Sequence, residues 1–188
     1  MKRIDAIREL LKVAGTSPIL ANLGTNTYDL YAAAEDRAQN FYMSGAMGSV
    51  SSIGVGLAVA RSDLMKVFVL DGDGSLLMNL GSLTTIAALS PPNLVHVMFD
   101  NRMYETTGRQ ASHTARGVNL AAIARAAGVR HVEEVDNIDA FARAVRAAVQ
   151  EPGPWFVAAV VEPGASTGRV PRRPVYFKDR FMESLPRA

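Results

Sequence analysis

Cysteine is absent from this 188-residue chain, and that gap removes disulfides, iron–sulfur clusters and thiolate zinc sites at once. Histidine is scarce: His96, His113 and His131 show no metal-ligand spacing among them. No apolar run reaches the roughly 18–20 residues that a membrane-spanning helix needs. The opening residues, Met1-Lys2-Arg3-Ile4-Asp5, begin an amphipathic segment instead of a signal peptide. Net charge is also in short supply. A formal +2 argues against nucleic acid or a membrane surface as the main partner. The sequence pI of 9.1 reflects a local excess, six Lys/Arg against two Asp/Glu from Arg169 onward. A cytoplasmic protein is the expectation.

What is present is enough for one globular domain, with 48% hydrophobic and 20% charged residues. Ile4, Ile7, Leu10 and Leu11 recur at helical spacing before Gly15. Pro18 to Leu23 reads as a buried strand ending in a polar loop, Gly24-Thr25-Asn26, with a helix from Tyr28 to Ala34. Asn40 to Met43 suits a short strand, and a small-residue helix runs from about Ser49 to Ala60. Strands are expected at Lys66 to Leu70, Leu94 to Phe99, Arg130 to Val135 and Trp155 to Val161. Helices are expected at Leu80 to Leu89, around Leu120 to Ala127, and from Ile138 to Val149. Asp100 to Arg116 reads as a long polar loop. This alternation predicts an α/β fold: a doubly wound, mostly parallel sheet with helices on both faces. Residues 1–162 are expected to form the domain, and 163–188 a basic tail packing on it or on a partner.

Three polar segments each follow an expected strand: Gly24 to Asn26, Gly72 to Ser75, and Asp100 to Gln110. In doubly wound sheets, ligands sit at those strand ends. A carboxylate and an amide oxygen, here Asp73 and Asn101, can bridge a magnesium ion to phosphate oxygens. Glycines on both sides of Asp73 let backbone N–H groups approach an anion. Alone, Gly72-Asp73-Gly74 reads first as a tight turn. Asn101 follows a second strand, with 26 residues between it and Gly74, and makes the turn half of a pair. Rival motifs fail. Gly54-Val55-Gly56 lacks the third glycine of a dinucleotide fingerprint, and neither a phosphate-loop Gly-Lys-Ser/Thr nor a Gly-x-Ser-x-Gly elbow occurs.

Gly72-Asp73-Gly74 with Asn101 resembles the signature of thiamine-diphosphate (ThDP) enzymes, with Asp100 where those enzymes usually carry a first Asn. The longer stretches Gly72 to Leu83 and Asp100 to Gln110 are similar to the sulfopyruvate and phosphonopyruvate decarboxylase branch. That resemblance implies ThDP and Mg²⁺ as cofactors, with Asp73, Asn101 and the Met103 carbonyl holding the metal. It implies that Gly24, Thr25, Asn26, Gly72, Gly74, Ser75 and Tyr104 lie against the cofactor. Gly45, Ala46 and Met47 would face its aminopyrimidine, although Met47 taken alone reads first as a core filler. Thr106, Thr107, Arg109 and His113 become candidate contacts for a small anionic 2-oxo acid. For Arg109, with Arg102 and Arg116, a solvated basic loop fits the residues equally well.

Such enzymes also need a glutamate that activates the cofactor from a pyrimidine-binding domain. No glutamate here, Glu35 and Glu105 included, is assigned that role. The resemblance therefore implies a β subunit of a decarboxylase, paired with a separate pyrimidine-binding α subunit, the αβ pairs assembling further. A carboligase subunit like acetolactate synthase, or a non-catalytic regulatory or scaffolding chain of the same fold, are the alternatives.

Overall fold

The computed structural model describes residues 1–34, 37–164, 166 and 168–186. Glu35 and parts of the expected tail lie outside the described residues.

The chain opens with α1 (Arg3–Ala14), followed by β1 (Ile19–Ala21), α2 (Thr25–Ala34), β2 (Asn40–Tyr42) and α3 (Val50–Ala60). Next come β3 (Val67–Gly72), the short α4 (Asp73–Leu77), α5 (Gly81–Leu89) and β4 (Leu94–Asp100). A small hairpin of β5 (Met103–Tyr104) and β6 (Gln110–Ala111) leads through a 3-10 turn (His113–Arg116) to α6 (Leu120–Ala127). β7 (His131–Val135), α7 (Ile138–Gln150), β8 (Trp155–Val160) and α8 (Pro174–Ser184) complete the described chain.

Six strands form one parallel sheet in the order β2-β1-β3-β4-β8-β7. Side chains alternate across it, as the two-residue period of a strand requires. In β3, Phe68 and Leu70 join α1 and α7 on one face, while Val67 and Val69 join α3, α5 and α6 on the other. Both faces being covered explains why β3 and β4 read as continuous apolar runs. Chain order reverses between β1 and β3, so their carboxyl ends splay apart and open a crevice there.

Three local expectations are corrected. Thr25 and Asn26 belong to the first turn of α2, because polar residues are what a helix start prefers and so imitate a loop. The stretch 100–116 holds the β5–β6 hairpin and a 3-10 turn; two-residue strands carry no readable periodicity. The expected tail, besides packing on the domain, contains a helix absent from the sequence expectation, α8, which buries Phe177 and Phe181 at helical spacing. Phe177 packs edge-on against Tyr42 of β2, with ring centroids 5.2 Å apart.

Candidate functional site

The crevice at the β1/β3 reversal is built from three strand ends. β1 delivers Asn22 and Leu23 and hands over to α2, so that Thr25 and Asn26 line the opening. β3 ends at Gly72 and passes directly into α4, which places Asp73, Gly74 and Ser75 on the floor. From β4 and the hairpin come Asn101, Met103, Tyr104, Glu105, Thr106 and Thr107. Arg3 of α1 and Met47 of the 44–48 loop close the sides.

The floor is held from beneath. Asp71, fully buried in β3, accepts the Gly72 N–H at 2.9 Å through Oδ1 and meets His96 Nε2 at 3.2 Å through Oδ2. His96 is thus a core histidine beside Phe156 and not a crevice residue. The 44–48 loop is clipped to α4. Gly48 N–H donates to Ser75 Oγ at 3.2 Å, and Asn79 Nδ2 donates to the Gly48 carbonyl at 2.8 Å. Glycine is required at 74, since a Cβ there would stand 2.6 Å from the Tyr104 ring and 3.4 Å from the Met47 terminal methyl.

Asp73 is 2% exposed. Thr114 Oγ1 lies 3.4 Å from Asp73 Oδ2 but only 2.7 Å from Asp100 Oδ1, and a hydroxyl has one proton to give. Burial pushes the Asp73 carboxyl up to about 6; the Ser112 hydroxyl offsets part of this, the neighbouring Asp100 charge adds to it, and the Gly74 and Asp73 backbone N–H groups offset a little more. Asn101, also buried, donates from Nδ2 to Glu105 Oε2 at 2.9 Å, and its Oδ1 accepts the Met103 N–H at 3.2 Å. On the β1 side, Asn22 Oδ1 is buried without a hydrogen-bond partner.

Charge decides what such a crevice can take. Among the described residues lining it, Arg3 is the one cation, and it is committed to Asp29 Oδ2 at 2.7 Å and Glu105 Oε2 at 3.5 Å. A diphosphate entering beside Asp73 therefore meets another anion and no free cation. A divalent ion between them removes that conflict, and one carboxylate plus phosphate oxygens is how Mg²⁺ is commonly bound. No cluster of three or more His, Asp or Glu able to cage a metal occurs among the described residues. The donors present, Asp73, the Asn101 amide oxygen and the Met103 carbonyl, are hard oxygens and suit that ion.

Most of the residues singled out from sequence converge. Thr25, Asn26, Met47, Gly72, Asp73, Gly74, Ser75, Asn101, Met103, Tyr104, Thr106 and Thr107 share the crevice. Gly24 sits at its rim, where a Cβ would come within 3.0 Å of the Thr106 methyl. Others stand apart. Gly45 and Ala46 are exposed and line a separate apolar groove with Phe41, Ile53 and Val175. Arg109, at a positive φ of 56°, lines a neighbouring groove that shares Asn101 and Met103. His113 is exposed on the 3-10 turn and lines neither. Sequence reasoning missed Arg3, Asn22, Asp29 and Thr114. It also passed over Glu105, although that residue lies inside the stretch that carried the resemblance. For Arg3 and Asp29 no local signal existed; only the packing of α1 on α2 brings them in.

Residues 22–159 match the family described as thiamine pyrophosphate enzyme, C-terminal TPP binding domain. The chain is 39% identical over 189 residues to the sulfopyruvate decarboxylase subunit beta of Methanocaldococcus jannaschii, covering 100% of this chain and 98% of that one. It is 38% identical to the phosphonopyruvate decarboxylase of Streptomyces hygroscopicus, covering 96% of this chain but 45% of the relative. Among solved structures, a protein from Mycobacterium smegmatis assigned as a thiamin diphosphate-dependent enzyme superposes with a TM-score of 0.72 at 22% identity, over 87% of this chain and 32% of that one. That likeness speaks to the fold.

Proposed function

Because this chain belongs to the thiamine pyrophosphate enzymes, matching their C-terminal TPP-binding domain, we propose that it is the diphosphate-binding subunit of a 2-oxo acid decarboxylase. The favoured reaction converts 3-sulfopyruvate to sulfoacetaldehyde and CO₂, with phosphonopyruvate the close rival substrate. In either case the C1–C2 bond breaks and a proton takes the place of the departing CO₂. The cofactor, when bound, supplies the electron sink for that step. The protein's part is to bind and orient.

One observation carries the reading: a buried Asp73 lines, together with the Asn101 amide, a crevice that has no free cation among its described lining residues. Asp73, the Asn101 Oδ1 and the Met103 carbonyl would hold Mg²⁺. The N–H groups of Gly74 and Ser75, with Gly24 to Asn26 at the start of α2, would hold the diphosphate. Met47, fixed through Gly48, would press on the cofactor from the side. Thr106, on the crevice wall, would donate a hydroxyl hydrogen bond to the anionic tail of the substrate, and Thr107 would do so on leaving its present acceptors, the Tyr104 carbonyl and Gln110 Oε1.

The cofactor-activating glutamate would come from a separate pyrimidine-binding chain. Two facts support that division. The Streptomyces relative is about twice as long as this chain, and Glu105, the glutamate in the crevice, is tied up by Arg3, Asn101 and the Gly164 N–H. Mixing the chain with such a partner, ThDP and Mg²⁺ should yield CO₂ and an aldehyde from sulfopyruvate, with slower turnover of pyruvate. Full activity of the chain alone would refute the division of labour. A condensation product in place of the aldehyde would point to a carboligase instead.

A further inference from the structure

We propose that Glu105 is the positioning residue for Asn101: its carboxylate selects the amide rotamer that turns Oδ1 toward the metal site, and Arg3 holds that carboxylate in place. The inference rests on the reading of Asn101 as a metal ligand.

An asparagine amide has a donor end and an acceptor end of nearly equal size, and only the acceptor end can bind a cation. Something must therefore break the symmetry. Glu105 Oε2 accepts from Asn101 Nδ2 at 2.9 Å, and an ionised carboxylate offers no proton, so the flipped amide would set oxygen against oxygen. Asn101 Oδ1 is left on the opposite side, where among the described residues it accepts the Met103 N–H at 3.2 Å, a longer bond that favours the same orientation.

Glu105 is itself immobilised. Its side chain is 8% exposed, Oε2 lies 3.5 Å from Arg3 Nη1, and Oε1 accepts the Gly164 N–H. Arg3, 5% exposed, donates through Nε to Asp29 at 2.7 Å and through Nη2 to the Gly164 carbonyl at 3.3 Å. The arginine fork thus joins α1, α2, the hairpin and the segment after β8 behind one amide. Partners one step behind a metal's own ligands orient those ligands, and removing them typically costs about 10–100-fold in metal affinity.

The test is calorimetric titration of ThDP into the full-length chain at a series of MgCl₂ concentrations. For Glu105→Gln, the MgCl₂ needed for half-maximal binding should rise about 10–100-fold, while ThDP affinity at saturating metal stays near wild type. A merely structural role would lower the unfolding midpoint and leave the metal dependence of the folded fraction unchanged. A reciprocal variant guards against misfolding. Asn101→Asp places two carboxylates together and should weaken metal binding. Adding Glu105→Gln should recover it, because the introduced amide can donate to the introduced carboxylate. No rescue in the double variant, or wild-type metal dependence in Glu105→Gln, overturns the inference. Wild-type protein that binds ThDP equally well without Mg²⁺ overturns the underlying reading instead.

Discussion

Asp73 is where stability and binding pull in opposite directions. With the carboxyl pushed up to about 6 against an ordinary value of 3.8, the metal-free fold holds its proton more tightly than the unfolded chain does. That stabilisation is complete below about pH 4 and lost as pH rises through about 6. At pH 7–8 the ionised group is therefore a burden on the order of 2–3 kcal/mol. Asp73→Asn should raise the thermal midpoint of the metal-free protein at pH 8 by several degrees and have little effect at pH 4. The same substitution should abolish metal-dependent ThDP binding. Differential scanning at the two pH values, paired with calorimetry, reads both effects.

At the scale of elements, the tight seat of α3 on the sheet is the sharpest constraint. A Cβ at Gly54 would overlap Val69 Cγ2 in β3, so the helix can approach only as glycine. Alanine favours a helix interior by up to about 1 kcal/mol over glycine, but overpacking against a stiff β-branched neighbour costs about 1–3 kcal/mol. The clash wins. Gly54→Ala should lower the unfolding midpoint by at least about 2–4 °C, and Val69→Ala in the same background should restore part of it. The glycine pair that failed as a dinucleotide motif thus has a packing reason at Gly54.

The long elements were legible in sequence for the same physical reasons that stabilise them. Continuous apolar runs such as Leu94 to Phe99 mark strands covered on both faces, and Phe141, Val145 and their neighbours mark the buried stripe of α7. The convergence of Asp73 and Asn101 was legible because each follows its own strand. The Arg3–Glu105–Asn101 chain was not, since its members lie 98 or more positions from Arg3 and meet only through packing. The start of α2 was hidden by its own polar residues.

At the scale of the whole molecule, the crevice belongs to the chain reversal between β1 and β3, and the rest of the fold braces it. α8 contributes by covering the β2 edge, where Phe177 is 4% exposed against Tyr42 and Tyr31. Phe177→Ala should cost about 3 kcal/mol and open the segment after Val161 to proteolysis, read by denaturant unfolding and by limited digestion. None of the described helices is long and apolar enough to cross a membrane. Everything proposed for the crevice depends on Asp73 and Asn101 clamping a metal-bound diphosphate. Calorimetry of ThDP with and without MgCl₂, on the wild type and on Asp73→Asn, is the decisive measurement. Binding should need Mg²⁺ and disappear in the variant. Binding that is indifferent to Mg²⁺, or unchanged in Asp73→Asn, would rule the clamp out.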